Sequence, residues 1–158
     1  MTAPDDLVEV HMRQLPVRLW ARSQEQHDAL MREFALMSVP SDAGERERHV
    51  PTRLTELMDR LTADFEGVST DQEQELFAAS AAGTETLDQV YRVPAAAAAA
   101  SKALGQMLDE ADEYCRQGQH LLTLASDDEL VRFRWWYLDQ FIDQTAGKPP
   151  VAWPDYRR

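Results

Sequence analysis

Arg134 is the residue whose position first calls for a chemical explanation. It lies in "ELVRFRWWYLDQF", residues 129–141, a stretch otherwise crowded with large apolar side chains. At about 100° per residue, Leu130, Val131, Trp135, Leu138, Phe141 and Ile142 share one side of a helix. Arg134 projects among them. A guanidinium keeps its proton at ordinary pH, and burying it unpaired is strongly unfavourable. It must meet a carboxylate, stack on an aromatic ring or reach out to water. The segment "LDEADEYC" supplies Asp109, Glu110, Asp112 and Glu113, and Asp112 lies nearest the apolar stripe of its own helix. The expected arrangement is therefore an Arg134–Asp112 clamp between two helices. The competing one is a pocket arginine that receives an anionic small molecule.

Trp136 is the second anomaly. It falls on the polar side of the same helix, near Arg132, Asp139 and Asp143. Two fates are open to it. The C-terminal tail can cover it, through Trp153 for example, or it can stand exposed as the hot spot of a protein interface, where tryptophan and arginine dominate. The second fate defines an expected partner surface of Trp136 and Arg132 together with Glu110 and Glu113, on the acidic face of the preceding helix.

Other candidate chemistry is thin. His27 interrupts an apolar stripe beside Asp28, which reads as a core histidine or as a second wall of the Arg134 pocket. Helical metal sites repeat Glu-x-x-His or place two histidines four apart, and neither spacing occurs. His11, His49 and His120 are scattered over strand or loop segments. Cys115, the single cysteine, sits on an apolar stripe and reads as a small hydrophobe. No nucleophile elbow, phosphate-cradling glycine loop or dinucleotide fingerprint is present. No catalytic residue, metal or cofactor is expected.

Composition sets the wider bounds. The chain has 158 residues, 44% of them hydrophobic, and a formal net charge of −12. That length suits one domain with a true core. The charge argues against nucleic acid, whose phosphates need a basic patch, and against an acidic membrane surface. No apolar run approaches the roughly 20 residues of a membrane helix. The opening "MTAPDDLVEV" lacks a basic segment followed by an apolar one, so a cytoplasmic location is expected.

The elements that must position these residues follow from periodicity. Alternation at Val8, Val10 and Met12 predicts a strand over 7–15. Trp20, Ser23, His27, Leu30, Phe34 and Met37 mark a helix over 16–38, with two polar breaks in its stripe. Residues 38–51 read as loop. Leu54, Leu57, Met58, Leu61 and Phe65 mark a second helix ending near Gly67. "TDQE" at 70–73 has the form of a capping box, with Thr70 as cap, opening a short helix that stops near Gly83. Residues 85–93 read as strand. A fourth helix covers 94–117, with alanines 95–100 that let a neighbouring backbone approach. "HLLTLA", 120–125, reads as a third strand or a buried connector. Ser126 and Glu129 suggest a second capping box for a helix over 127–146. The fold class expected is mainly α: a helical domain over 1–148 of about five helices, with a two- or three-stranded β element, and an irregular tail over 149–158 anchored by Trp153 and Tyr156.

In combination, "LPVRLWARSQEQHDALMREFAL", "LDQVYRVP", "DEADEYCRQGQHLLTLAS" and "VRFRWWYLDQFIDQ" resemble small actinobacterial proteins associated with partner-switching signalling. Those systems combine a serine phosphatase, an anti-sigma kinase and a phosphorylatable antagonist. The resemblance spans most of the chain and implies a bacterial accessory or regulatory role. The signatures of the three components are absent, and no functional residue is carried over. The leading expectation is thus a non-enzymatic regulatory protein that acts by binding another protein. The alternatives are a helical ligand-binding domain accepting an anion at Arg134, with His27 in the same pocket, and a homodimer formed through the aromatic side of the last helix.

Overall fold

The N-terminal alternation does form a strand, but one with a break in its parity. Val10, Met12 and Leu15 are all buried, although residues 12 and 15 would face opposite sides of a regular strand. The computed structural model, which describes residues 6–37, 49–117 and 123–157, resolves this with a bulge. Strand β1 (Val8–Pro16) pairs antiparallel with β2 (Thr86–Val93), and the register slips between Met12 and Leu15. Gln14 takes φ 54°, the left-handed conformation, and its N–H donates to Asp88 Oδ1 at 2.7 Å. The extra residue returns Leu15 to the inner face.

The helices are α1 (Val17–Met37), α2 (His49–Asp64), α3 (Thr70–Ala81), α4 (Ala97–Gln117) and α5 (Asp128–Thr145), and a 3-10 turn follows at Trp153–Asp155. The molecule is mainly α with a small two-stranded antiparallel sheet. The expected third strand is not formed over 123–125, and residues 120–122, with His120, lie outside the described residues.

Both outer edges of the sheet are covered by glutamines. Gln144 of α5 accepts from the His11 N–H at 2.8 Å and donates to the His11 carbonyl at 2.9 Å. It thereby reproduces the pattern of a paired strand residue. On the other edge Gln72 of α3 donates to the Val90 carbonyl at 2.9 Å. A two-stranded sheet would otherwise expose two rows of backbone groups.

Both helix caps differ by one residue from the expected ones. The N-cap of α3 is Ser69, whose hydroxyl donates to Glu73. The N-cap of α5 is Asp127, whose carboxylate accepts from the Leu130 N–H at 2.9 Å. Asp127 also binds Arg22 of α1 at 2.6 Å, and these bonds hold its carboxyl below the usual range. Ser126 has a different task, described below.

Apolar burial is organised in two clusters. One gathers Val10, Met12, Leu15, Trp20, Tyr91, Phe133, Trp136 and Phe141 around the sheet; the other gathers Leu30, Phe34, Leu54, Ala111 and Cys115 of α1, α2 and α4. A close approach to α4 falls beyond the alanine run, at Gly105, and it is made by a side chain rather than by the neighbouring backbone expected along the alanines. A Cβ there would sit 2.5 Å from Cη2 of Trp135, so the glycine is what lets the indole lie against α4.

Candidate functional site: a cavity between four helices

Arg134 is held by α4 on two sides. Its side chain is 12% exposed, and one terminal nitrogen donates to Asp112 at 2.9 Å and to Asp109 at 2.5 Å. Asp112, on the stripe of α4, is the carboxylate that position predicts. Asp109, one turn earlier on the same face, was not anticipated. It also accepts from the Trp135 Nε1–H at 3.1 Å, so it binds two consecutive side chains of α5. The second oxygen of Asp112 accepts from the Ser126 N–H at 3.0 Å. Asp112 therefore ties α4 to both α5 and the segment that precedes it. One donor stays unused: Arg134 Nε–H is buried with no acceptor among the described residues.

Arg134 and Asp112 border a cavity of about 500 Å³. Four helices present one face each to it. Leu130, Phe133, Arg134, Tyr137 and Leu138 come from α5, and Leu104, Leu108 and Asp112 from α4. Helix α1 contributes Trp20, Ser23, His27 and Leu30, and α2 contributes Met58, Leu61 and Thr62. Ser23 and His27 are the two polar breaks in the stripe of α1. The breaks in the stripes of α1, α4 and α5 thus converge on one space, which lies between the two apolar clusters. At its edge the exposed Glu66 and Glu73 flank the turn that joins α2 to α3.

The electrostatics of the wall disfavour free charge. Burial lowers the His27 pKa, against the opposing effect of Asp28, so the imidazole is neutral near pH 7. Tyr137 donates to the Tyr91 hydroxyl at 3.0 Å, and Tyr91 to Gln89 Oε1 at 3.3 Å. Burial pushes the Tyr137 phenol up to about 12 and raises Tyr91 further. Cys115 lies in the second cluster, and burial, helped by the Asp112 carboxylate, pushes its thiol up to about 11. That disfavours the thiolate a nucleophile would need. Among the described residues no group of three or more His, Cys, Asp or Glu side chains could hold a metal ion, and no helix is long and apolar enough to cross a membrane.

The partner surface expected around Trp136 is corrected by the tail. Trp136 is fully buried. Its Nε1–H donates to the Val151 carbonyl at 2.8 Å, and its ring meets Trp153 edge-on at a centroid distance of 5.8 Å. Arg132 donates to the Tyr156 carbonyl at 2.9 Å and lies 4.4 Å from the Trp153 ring centroid. Tyr156 donates to Asp139, and Lys148 pairs with Asp143. The polar side of α5 is thus a docking strip for residues 148–156, which satisfies its charges and the indole N–H together. Gln140 completes the lock by accepting from the Val151 N–H at 3.0 Å. Glu110 instead pairs with Arg53 of α2 at 3.0 Å, and Glu113 with Arg116 of its own helix at 3.0 Å. The structure does not bring these four residues together as one surface.

Comparison with protein families, with curated proteins and with solved structures finds no match for this chain.

Proposed function

We propose that this protein is a small-molecule binding domain, with the four-helix cavity as its site and no bond-making chemistry of its own. The observation that carries the reading is the convergence of Ser23, His27, Asp112 and Arg134 on a single cavity of about 500 Å³. Ligand sites commonly span roughly 300–1,000 Å³, with apolar walls and a few polar groups. Polar residues on core-facing stripes weaken packing unless something uses them. The accessory, regulatory role that the resemblance implies would then be exercised through occupancy of the cavity.

An anion bound at Arg134 is not part of this proposal, because two carboxylates already neutralise the guanidinium. The earlier protein-partner surface also loses its centre with the burial of Trp136.

A thermal-shift screen of small apolar molecules tests the proposal. A ligand at about a hundred times its Kd stabilises the fold by about 2.7 kcal/mol. For a chain of this size that raises Tm by roughly 5–11 °C. Leu108→Trp, which fills the cavity from α4, should remove the rise. A shift that survives in folded Leu108→Trp would locate binding elsewhere and refute the proposal.

A further inference from the structure

Resting on the binding-domain reading above, we infer that the ligand is an amphiphile with a cationic head: its apolar body lies in the cavity, and an ammonium-type group stays at the mouth beside Glu66 and Glu73.

Exposure locates the mouth. Among the described residues lining the cavity, only Thr62, Glu66, Gly67 and Glu73 are exposed. All four belong to the end of α2, the turn after it and the first turn of α3. Asp112, Leu130, Phe133 and Leu138 are buried and belong to the inner wall. A molecule that fills the space therefore has one end among apolar side chains and the other at the α2–α3 junction, in contact with water.

Charge differs between the two ends. At the inner end Arg134 is bonded to Asp109 and Asp112, so no free positive charge draws an anion inwards. Asp112 is itself occupied by Arg134 and the Ser126 N–H, so no free carboxylate there receives a cation. At the mouth Glu66 and Glu73 carry two negative charges, and neither has a basic partner among the described residues. Burial chiefly, with the Glu73 carboxylate adding to it, raises the phenol pKa of both Tyr91 and Tyr137, so the field of the mouth reaches the cavity wall. Both glutamates are exposed, and their attraction is that of a surface pair, modest at low salt and weakened by screening. That suffices to orient a ligand whose affinity comes from burying its apolar body. A head group held at the mouth keeps part of its hydration, as a snorkelling side chain does, and avoids the cost of burying an unpaired charge. A carboxylate head in the same place would face two like charges.

Four probes with one octyl body separate the possibilities: octylammonium, octyltrimethylammonium, octanol and octanoate. Each is titrated into the full chain, with Tm shift and ligand-observed NMR as readouts. At low salt both cations should bind roughly fivefold more tightly than octanol, and octanoate roughly fivefold more weakly than it, as two surface charges allow. In about 0.5 M salt the spread should collapse. The paired change Glu66→Gln and Glu73→Gln should bring the Kd values of cation and alcohol together. A fivefold preference that persists in that variant overturns the inference, as does octanol or octanoate binding as tightly as the cations in the wild type; the binding-domain reading survives either result. Binding by none of the four overturns that reading, and this inference with it. A chain of net charge −12 also gathers cations on its outside. Cation binding that persists undiminished in folded Leu108→Trp is such adsorption and overturns the inference too. Competition decides the same point if that variant does not fold: octanol should displace octylammonium from the wild-type chain, and failure to do so places the cation outside the cavity.

Discussion

Replacing Arg134 by methionine removes the charge while keeping most of the apolar stem, and the structure says where the cost will fall. Asp109 is 46% exposed and still accepts from the Trp135 indole, so its loss is that of a surface pair, under about 1 kcal/mol. Asp112 is 5% exposed and keeps only the Ser126 N–H. Stranding a buried carboxylate in this way costs about 3–5 kcal/mol. For a domain of this size the drop in Tm should be roughly 6–20 °C. Urea unfolding followed by circular dichroism measures it, with an unchanged slope required for the free energies to be compared. Asp112→Asn keeps an acceptor for Ser126 and leaves Arg134 with Asp109, so it should cost less, about 1–3 kcal/mol. The double variant should then be more stable than the sum of the two losses by about 2 kcal/mol. A loss below about 1 kcal/mol for Arg134→Met, or strict additivity, would mean that the clamp is not internally neutralised as described, and both the architecture and the ligand argument would fall.

Three further outcomes are expected. Trp136→Ala should destabilise the fold by about 3–5 kcal/mol in urea unfolding, since the indole is fully buried under the tail; a variant of wild-type stability would restore Trp136 to the surface. Gly105→Ala should lower stability by about 1–2 kcal/mol, because overpacking against Trp135 outweighs the helix-propensity gain of about 1 kcal/mol; a stabilised variant would show that the indole moves aside freely. His27 has a folded pKa below its ordinary 6.5, so the unfolded chain takes up the proton first as pH falls. The stability contributed by the neutral imidazole is therefore present above about pH 6.5 and is lost as pH drops towards the lowered folded value. His27→Gln should flatten this part of the pH–stability curve, and an unaltered slope between pH 7 and 5 would refute the assignment.

Much of the molecule was legible in the chain because the relevant physics is local. Helical stripes such as Leu104, Leu108, Ala111 and Cys115 announce which face is buried, since the period of the backbone sets which residues share a side. Arg134 on an apolar face demanded a carboxylate, an aromatic ring or a route to water, because a guanidinium keeps its charge and is costly to bury unpaired. Ser23 and His27 were visible as breaks in a stripe, though nothing local told what they faced.

The rest needed contacts between segments far apart in sequence. A helical wheel describes one helix and is silent about what is laid on it, so it left two fates open for the polar side of α5, cover by the tail or exposure to a partner; the side is the bed of residues 148–156. The bulge at Gln14 depends on pairing with β2, and the glutamine covers on the sheet edges depend on where α3 and α5 dock. The chain alone determined that polar groups interrupt the inner faces of α1, α4 and α5. Only the tertiary structure decided that those interruptions meet around one cavity, because their meeting depends on how closely the helices approach, as Gly105 allows beneath Trp135.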